Sequence, residues 1–325
     1  MEIPSDEFTR KFIACSVSGR SEVTSRKLPS FITEVLPYKA RLPPSYAARA
    51  LQRLAVTPAF AEADEDTQEQ LFQLLSYFTA PCGLSSCFSY HFVHGCLLRP
   101  IPIRTDDDAL NVLVKDGCTG FRVWEAAKFL LSFLLKNPEI LQGKRVLELG
   151  AGTGFVGLGL AISDLCPEVV MSDVHDGVLA RIEESIVESQ CGEVAKVAKL
   201  DWQNFSAEHF RTSDIIIGAD VVYDVSLVPP LVDCLDALLR DRHDRVALIL
   251  CAVRIESTTA AFCKEMTERG LTWKEVIRTS VTDPSILINS LIYGNEVECE
   301  VILFEIYRDR WTLLCLLKID KASKS

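Results

Sequence analysis

A doubly wound α/β fold, with a seven-stranded, mostly parallel sheet and a smaller, mainly helical N-terminal domain, is predicted by three observations on this 325-residue chain. From about residue 116, short apolar runs alternate with amphipathic ones, as parallel strands do when helices cover both faces of their sheet. Seven apolar runs read as strands: "KRVLELG", "EVVMSD", "VAKVAKLDW", "SDIIIGAD", "RVALILCAV", "LTWKEVI" and "CEVILFEIY". Before residue 116 the apolar spacing is helical with irregular breaks.

The N-terminal elements follow from local chemistry. "SDEFTRKFIACS" has an acidic start that can cap a helix carrying Phe8, Phe12 and Ile13 on one face. "PPSYAARALQRLA" opens with Pro43 and Pro44, which suits the first turn of a helix and not its middle. In "DEDTQEQLFQLLSYF" the acids fall where the helix dipole favours them, and Leu71, Leu74, Leu75 and Phe78 follow at helical spacing. "RTDDDALNVLVKDGCTG" reads as a strand or hairpin edge leading into the second domain, with the boundary near residue 115.

In the second domain "FRVWEAAKFLLSFLLKN" is an amphipathic helix ahead of the first strand. "FVGLGLAIS", "GVLARIEESIVES", "SLVPPLVDCLDALLR" and "TTAAFCKEMTERG" are the later helices, and "CEVILFEIY" is expected to pair antiparallel near an edge. In such sheets ligands bind beyond the carboxyl ends of the strands, so four strand ends are the candidate site. The first ends in "VLELGAGTG", where glycines at 150, 152 and 154 permit a tight turn and a close backbone approach. Glu148, two residues before Gly150, would repel a pyrophosphate but suits a ligand with an ammonium group, such as the methionine part of S-adenosylmethionine. The second strand ends at Asp173, which either caps the next helix or accepts both ribose hydroxyls of a nucleoside; Asp176 is the better cap, which frees Asp173. The third ends in Asp201 and Trp202, either a core indole or a flat wall for an adenine. The fourth ends in "GADVVYD", with Asp220 and Tyr223 three apart, either a capped loop or a grip for a cation.

Composition narrows the function classes. The net charge is −11, nearly all of the acidic excess falls after residue 115, and a generic binder of phosphate backbones is disfavoured. Twelve cysteines without a CxxC pair or a secretory signal predict reduced thiols and a cytoplasmic location. No apolar run is long enough to span a membrane. Cys82, Cys87, His91, His94 and Cys96 fit no usual zinc spacing, and the alternation Phe88, Tyr90, Phe92 suggests a strand, so no metal is expected. His175, His209 and His243 sit among polar residues and are expected on the surface; Cys251 and Cys263 are expected in the core.

Taken together, "GFRVWEAA", "VLELGAGTG", "SDVHDG", "LDW" and "GADVVYD" resemble the motifs of the seven-β-strand methyltransferases of family 16, which carry Asp-x-x-Tyr after the fourth strand. "DEFTRKFIACSVSG" and "LPPSYAARALQRL" are similar to the branch of that family that methylates a lysine of translation elongation factor 2. The resemblance implies a Rossmann-like class I methyltransferase fold, S-adenosylmethionine as cofactor and a protein-lysine substrate, brought to trimethyl-lysine. It places Trp124, Gly150, Ala151, Gly152, Asp173, Trp202 and Ala219 against the cofactor, with Asp220 and Tyr223 facing the substrate. A monomer is expected, without direct nucleic-acid partners, with residues 1–115 a candidate for substrate recognition. The competing readings are a methyltransferase for another protein or a small molecule, a non-catalytic interaction module, and a nicotinamide-linked dehydrogenase, which the absent G-x-G-x-x-G turn disfavours.

Overall fold

The seven strands of the C-terminal part form one sheet in the order β5-β4-β3-β6-β7-β9-β8 in a computed structural model of the chain. It describes residues 7–13, 24–80, 86–91, 97, 99–105, 119–240, 242, 244–283, 285–286 and 299–308. The strands are β3 (Arg145–Leu149), β4 (Glu168–Asp173), β5 (Ala195–Lys199), β6 (Ile215–Ala219), β7 (Val246–Val253), β8 (Thr272–Ser280) and β9 (Glu300–Tyr307). Pairing from β5 through β7 is parallel; β9 is antiparallel to both β7 and β8. The antiparallel strand expected near an edge is therefore next to it, with β8 outside. From β3 the chain winds outward through β4 and β5, then returns to the other side of β3 as β6 and β7. That reversal leaves a crevice between the carboxyl ends of β3 and β6, the switch point where such sheets bind ligands.

Two helical layers cover the sheet. Alternate residues of each central strand face opposite layers: Val146, Ile215, Ile217, Leu248 and Leu250 share a core with α6 (Glu125–Lys136), α7 (Phe155–Ile162) and α8 (Asp176–Ser189). Leu147, Leu149, Ile216, Ala247 and Ile249 pack with α9 (Val228–Arg240) and α10 (Glu256–Glu268) on the other face. This period of two sends the Glu148 side chain toward α7, although it lies in an otherwise apolar strand. All eight residues of α7 are buried, which matches a sequence that is apolar all round.

The N-terminal part is mainly helical, with α1 (Glu7–Ile13), α2 (Leu28–Val35), α3 (Pro44–Leu54), α4 (Pro58–Ala61) and α5 (Glu65–Thr79). Asp64 caps α5 by accepting from the Thr67 N–H at 2.8 Å, and Pro44 opens α3 as its first residue. An antiparallel hairpin of β1 (Cys87–His91) and β2 (Ile101–Thr105) follows. Phe88 and Tyr90 join the helical core, whereas Ile101 and Ile103 join the core around α7 and α8. Polar contacts complete the seam: the Tyr90 hydroxyl donates to Glu188 at 2.7 Å, and Arg104 pairs with Glu184 at 2.6 Å. The stretch read as a hairpin edge begins in β2 at Arg104, and its residues 106–118 lie outside the described residues. Cys82, His94 and Cys96 also lie outside them; His91 is buried in β1, where desolvation pushes its pKa down to about 3.

Two sequence expectations are corrected here. Asp176 is not the cap of α8: His175 holds the N-cap position, and Asp176 sits exposed in the first turn, paired with Lys199 at 2.8 Å. His175, expected on the surface, is half-buried. Its ring lies edge-on to Phe121 at 5.5 Å, and Nδ1 is buried without a hydrogen-bond partner. His209 is exposed, and His243 lies outside the described residues. Cys251 is fully buried, while Cys263 is half-buried beside the same core. Among the described residues, no helix is long and apolar enough to cross a membrane.

Candidate active site

A cavity of about 470 Å³ opens at the carboxyl ends of β3, β4, β5 and β6, a size that suits a small organic ligand. Trp124, Glu148, Gly150, Ala151, Gly152, Asp173, Trp202, Ala219, Asp220 and Tyr223 all line it. The four strand ends singled out in the sequence thus meet around one volume. His175 and Gly120 are also in its wall.

The floor is the turn after β3. Gly150 has φ 58°, the left-handed region that costs a side-chain-bearing residue about 1–2 kcal/mol. A Cβ there would lie 2.8 Å from Val221 Cγ1 and 3.3 Å from the Trp202 ring, so backbone shape and packing both exclude one. The Ala151 N–H donates to the Ser172 carbonyl at 2.9 Å and the Gly152 N–H to Asp173 Oδ2 at 3.1 Å, which locks the turn to β4. Asp173 Oδ1 accepts from the His175 N–H at 3.1 Å. Each oxygen of Asp173 keeps a further lone pair for a hydroxyl donor.

Glu148 is 3% exposed, and its Oε2 accepts from the Gly157 N–H in the first turn of α7 at 3.0 Å. Burial pushes its pKa up to about 8, against the lowering effect of that hydrogen bond and with a small push from Asp173. A carboxyl so placed is poised to ionise when a cation arrives. Trp202 follows β5 in a tight turn in which Asp201 accepts from the Gln203 N–H at 2.9 Å, so Asp201 shapes the turn that carries the indole.

Elsewhere in the wall, β6 ends at Ala219 and Asp220 follows it. Asp220 has φ 58°, a conformation Asp tolerates better than most residues, and its N–H donates to the Leu250 carbonyl at 2.8 Å. It is 9% exposed; Oδ2 pairs with Arg254 at 2.8 Å, and Oδ1 is buried with no hydrogen-bond partner. Desolvation raises its pKa, and the Arg254 charge opposes that rise. The cap of the next element is Asp224, which accepts from the Ser226 N–H at 2.8 Å, leaving Asp220 to the cavity. Tyr223 stands at the mouth, 46% exposed. Trp124 occupies the N-cap position of α6; its indole N–H donates to the Thr119 carbonyl at 3.1 Å, and the Arg122 and Arg254 guanidiniums lie 5.2 Å and 5.0 Å from its ring centre.

Residues 106–269 match the family described as lysine methyltransferase. The chain belongs to that family. Protein-lysine N-methyltransferase EFM3 of Chaetomium thermophilum is 31% identical over 173 residues, covering 50% of this chain and 51% of that protein. Human protein-lysine N-methyltransferase EEF2KMT is 31% identical over 182 residues, covering 50% of this chain and 54% of its own. The chain spans about half the length of the curated relatives it matches. Among solved structures, P. horikoshii TYW2 in complex with MeSAdo aligns with a TM-score of 0.43 at 13% identity, over 68% of this chain and 72% of that one.

The cofactor this lysine methyltransferase family implies is S-adenosylmethionine, and the donor set fits it. Five carboxyls, on Glu148, Asp173, Asp201, Asp220 and Asp224, line a cavity of suitable volume against the one guanidinium of Arg122, an acidic balance that suits a ligand bearing ammonium and sulfonium charges. Arg254 escaped the sequence reading, which stopped at four strand ends. It is the first residue after β7, and the same strand-end rule applied to a fifth strand would have found it.

Proposed function

We propose that this protein methylates a lysine side chain of a protein substrate, translation elongation factor 2, to trimethyl-lysine, with S-adenosylmethionine as donor. The observation that carries the reading is the placement of Asp220 and Tyr223 on the same cavity as the glycine turn, Asp173 and Trp202. The named relatives support a protein-lysine substrate, and the similarity to EEF2KMT and EFM3 supports that choice within the family. On this reading the protein works in the cytoplasm as a monomer, and residues 1–115 contribute to substrate recognition.

When bound, the cofactor supplies an electrophilic methyl on a positively charged sulfur. Glu148, Gly150, Ala151 and Gly152 would hold its methionine end, Asp173 would accept from the ribose hydroxyls, Trp202 would flank the adenine, and Trp124 and Ala219 would close the edge. The chain's main task is then to hold an amine about 3 Å from that methyl, in line with the bond that breaks. A lysine must be neutral to attack, yet its ordinary pKa is about 10.4. The Asp220 carboxyl, in the cavity wall, accepts from the incoming ammonium and orients it. A carboxylate alone would hold the proton on, whereas desolvation in the cavity and the nearby sulfonium charge favour its loss. The proton leaves to water, with Asp220 as a candidate acceptor, and Tyr223 walls the lysine channel. The cofactor would supply the methyl carbon, with the C–S electron pair kept by its sulfur.

Asp220→Asn tests the assignment. Methyl incorporation into protein should fall by about a hundredfold or more, because a misplaced or uncharged group no longer orients the amine. Cofactor affinity measured by calorimetry should change little; turnover near the wild-type rate would defeat the role. Labelling a lysate that lacks the activity should mark one band at the size of elongation factor 2, and a different band would reassign the substrate.

A further inference from the structure

We propose that Arg254 is a positioning residue for methyl transfer: its guanidinium pairs with Asp220 Oδ2 and holds this carboxylate of the cavity wall charged and in one orientation for the amine. The inference rests on reading the cavity as a lysine methyltransferase site.

Three chain segments converge on this contact. Arg254 leaves the carboxyl end of β7 and pairs with Asp220 Oδ2 at the end of β6 at 2.8 Å, and it also lies 3.8 Å from Glu125 Oε2 in the first turn of α6. Its guanidinium lies 5.0 Å from the Trp124 ring centre, so the ring and Glu125 together restrict where it can point. The burial is unequal: the Asp220 side chain is 5% exposed and that of Arg254 is 40%. Losing Arg254 would leave a buried carboxylate uncompensated, so titration and methyl-transfer rate are read beside stability. The effect falls on the buried partner, whose carboxyl the pair holds in one orientation.

The groups around the Asp220 carboxyl do not act alike. Burial and Glu125 push its pKa up; Arg254 and the Ala252 backbone pull it down. The Cys251 thiol is itself pushed well above its ordinary range by burial and by Asp220. Tyr223 lines the same cavity. Arg254 is the side chain that both charges and aims this carboxylate. A lysine at 254 would restore a charge but not the fixed planar fork.

The test uses the full chain with Arg254→Met and Arg254→Lys. In cofactor-free protein, carbon-13 NMR of the Asp220 carboxyl, assigned with Asp220→Asn, should show a higher titration midpoint in Arg254→Met and an intermediate one in Arg254→Lys. With protein substrate, kcat/KM at neutral pH should fall about tenfold to a hundredfold in Arg254→Met, the range of losing a hydrogen bond to a charged group. The acid limb of the rate profile should move upward in pH with the carboxyl midpoint, while cofactor affinity stays near wild type. A midpoint and acid limb unchanged from wild type would overturn the proposal even if the enzyme is active. Absence of any methyl transfer by the wild-type protein would instead remove the lysine reading, and the carboxyl midpoint would still decide whether Arg254 governs Asp220. If the methionine variant does not fold, Arg254→Lys carries the same decision, because a wild-type midpoint with a wild-type rate there refutes the need for the guanidinium fork.

Discussion

Replacing Gly150 by alanine sets two costs against a control in the same chain. The φ of 58° charges any side-chain-bearing residue about 1–2 kcal/mol. The new methyl would also sit 2.8 Å from Val221 Cγ1 and 3.3 Å from Trp202 Cζ2, inside the 3.5–4.0 Å optimum for carbon contacts. Overpacking of this kind costs about 1–3 kcal/mol, so Gly150→Ala should lose roughly 2–5 kcal/mol in all. Gly143 has φ 73° with nothing within 4 Å of a Cβ, so Gly143→Ala should show the backbone cost alone. Urea unfolding of both variants reads the difference. Calorimetry with S-adenosylmethionine then reads the site: Trp202, pushed from its place, should weaken binding about tenfold, within the range of aromatic stacking on a base. Equal destabilisation of the two variants would refute the clash. Unchanged cofactor affinity in a destabilised Gly150→Ala would refute Trp202 as the adenine wall.

Two further perturbations probe the floor of the cavity. Alanine at Gly157 would gain about 1 kcal/mol of helix propensity, but its methyl would meet Met171 Cγ at 2.4 Å and Glu148 Oε2 at 2.6 Å. Overpacking at about 1–3 kcal/mol should win, and a urea midpoint at or above wild type would contradict this packing. Glu148 has a folded pKa of about 8 against an ordinary 4.5, so the folded state holds the extra proton between those values. Its contribution is most favourable below about pH 4.5 and declines as pH rises through about 8. Glu148→Gln keeps an acceptor for the Gly157 N–H and removes the titration, so its stability should fall less between pH 5 and 8, by a few kcal/mol at about 1.36 per pKa unit. Parallel stability curves for the two proteins would show that burial does not dominate this carboxyl.

Strand and helix types were legible in the chain because they depend on periodicity and on turn chemistry within a few residues. The run "SDIIIGAD" contains β6, and the acids before Leu71 open α5, as local rules require. The strand-end rule also reached Glu148, Asp173, Trp202 and Asp220, since parallel strands carry their carboxyl ends to one edge. What the sequence could not determine was which neighbours those side chains acquire. His175 looks polar in sequence yet is half-buried against Phe121, and Asp176 looks like a cap yet pairs with Lys199 across from β5.

The glycine turn, the succession of strands and helices along the chain and the acids at the strand ends were thus set by the chain itself, through spacing and local conformational preference. The Arg254 contact with Asp220, the burial that lifts Glu148 and the burial of the Asp220 carboxyl beside the cavity were decided by folding alone. They arise from residues brought together across the sheet, and a carboxyl's charge and direction depend on what surrounds it in space.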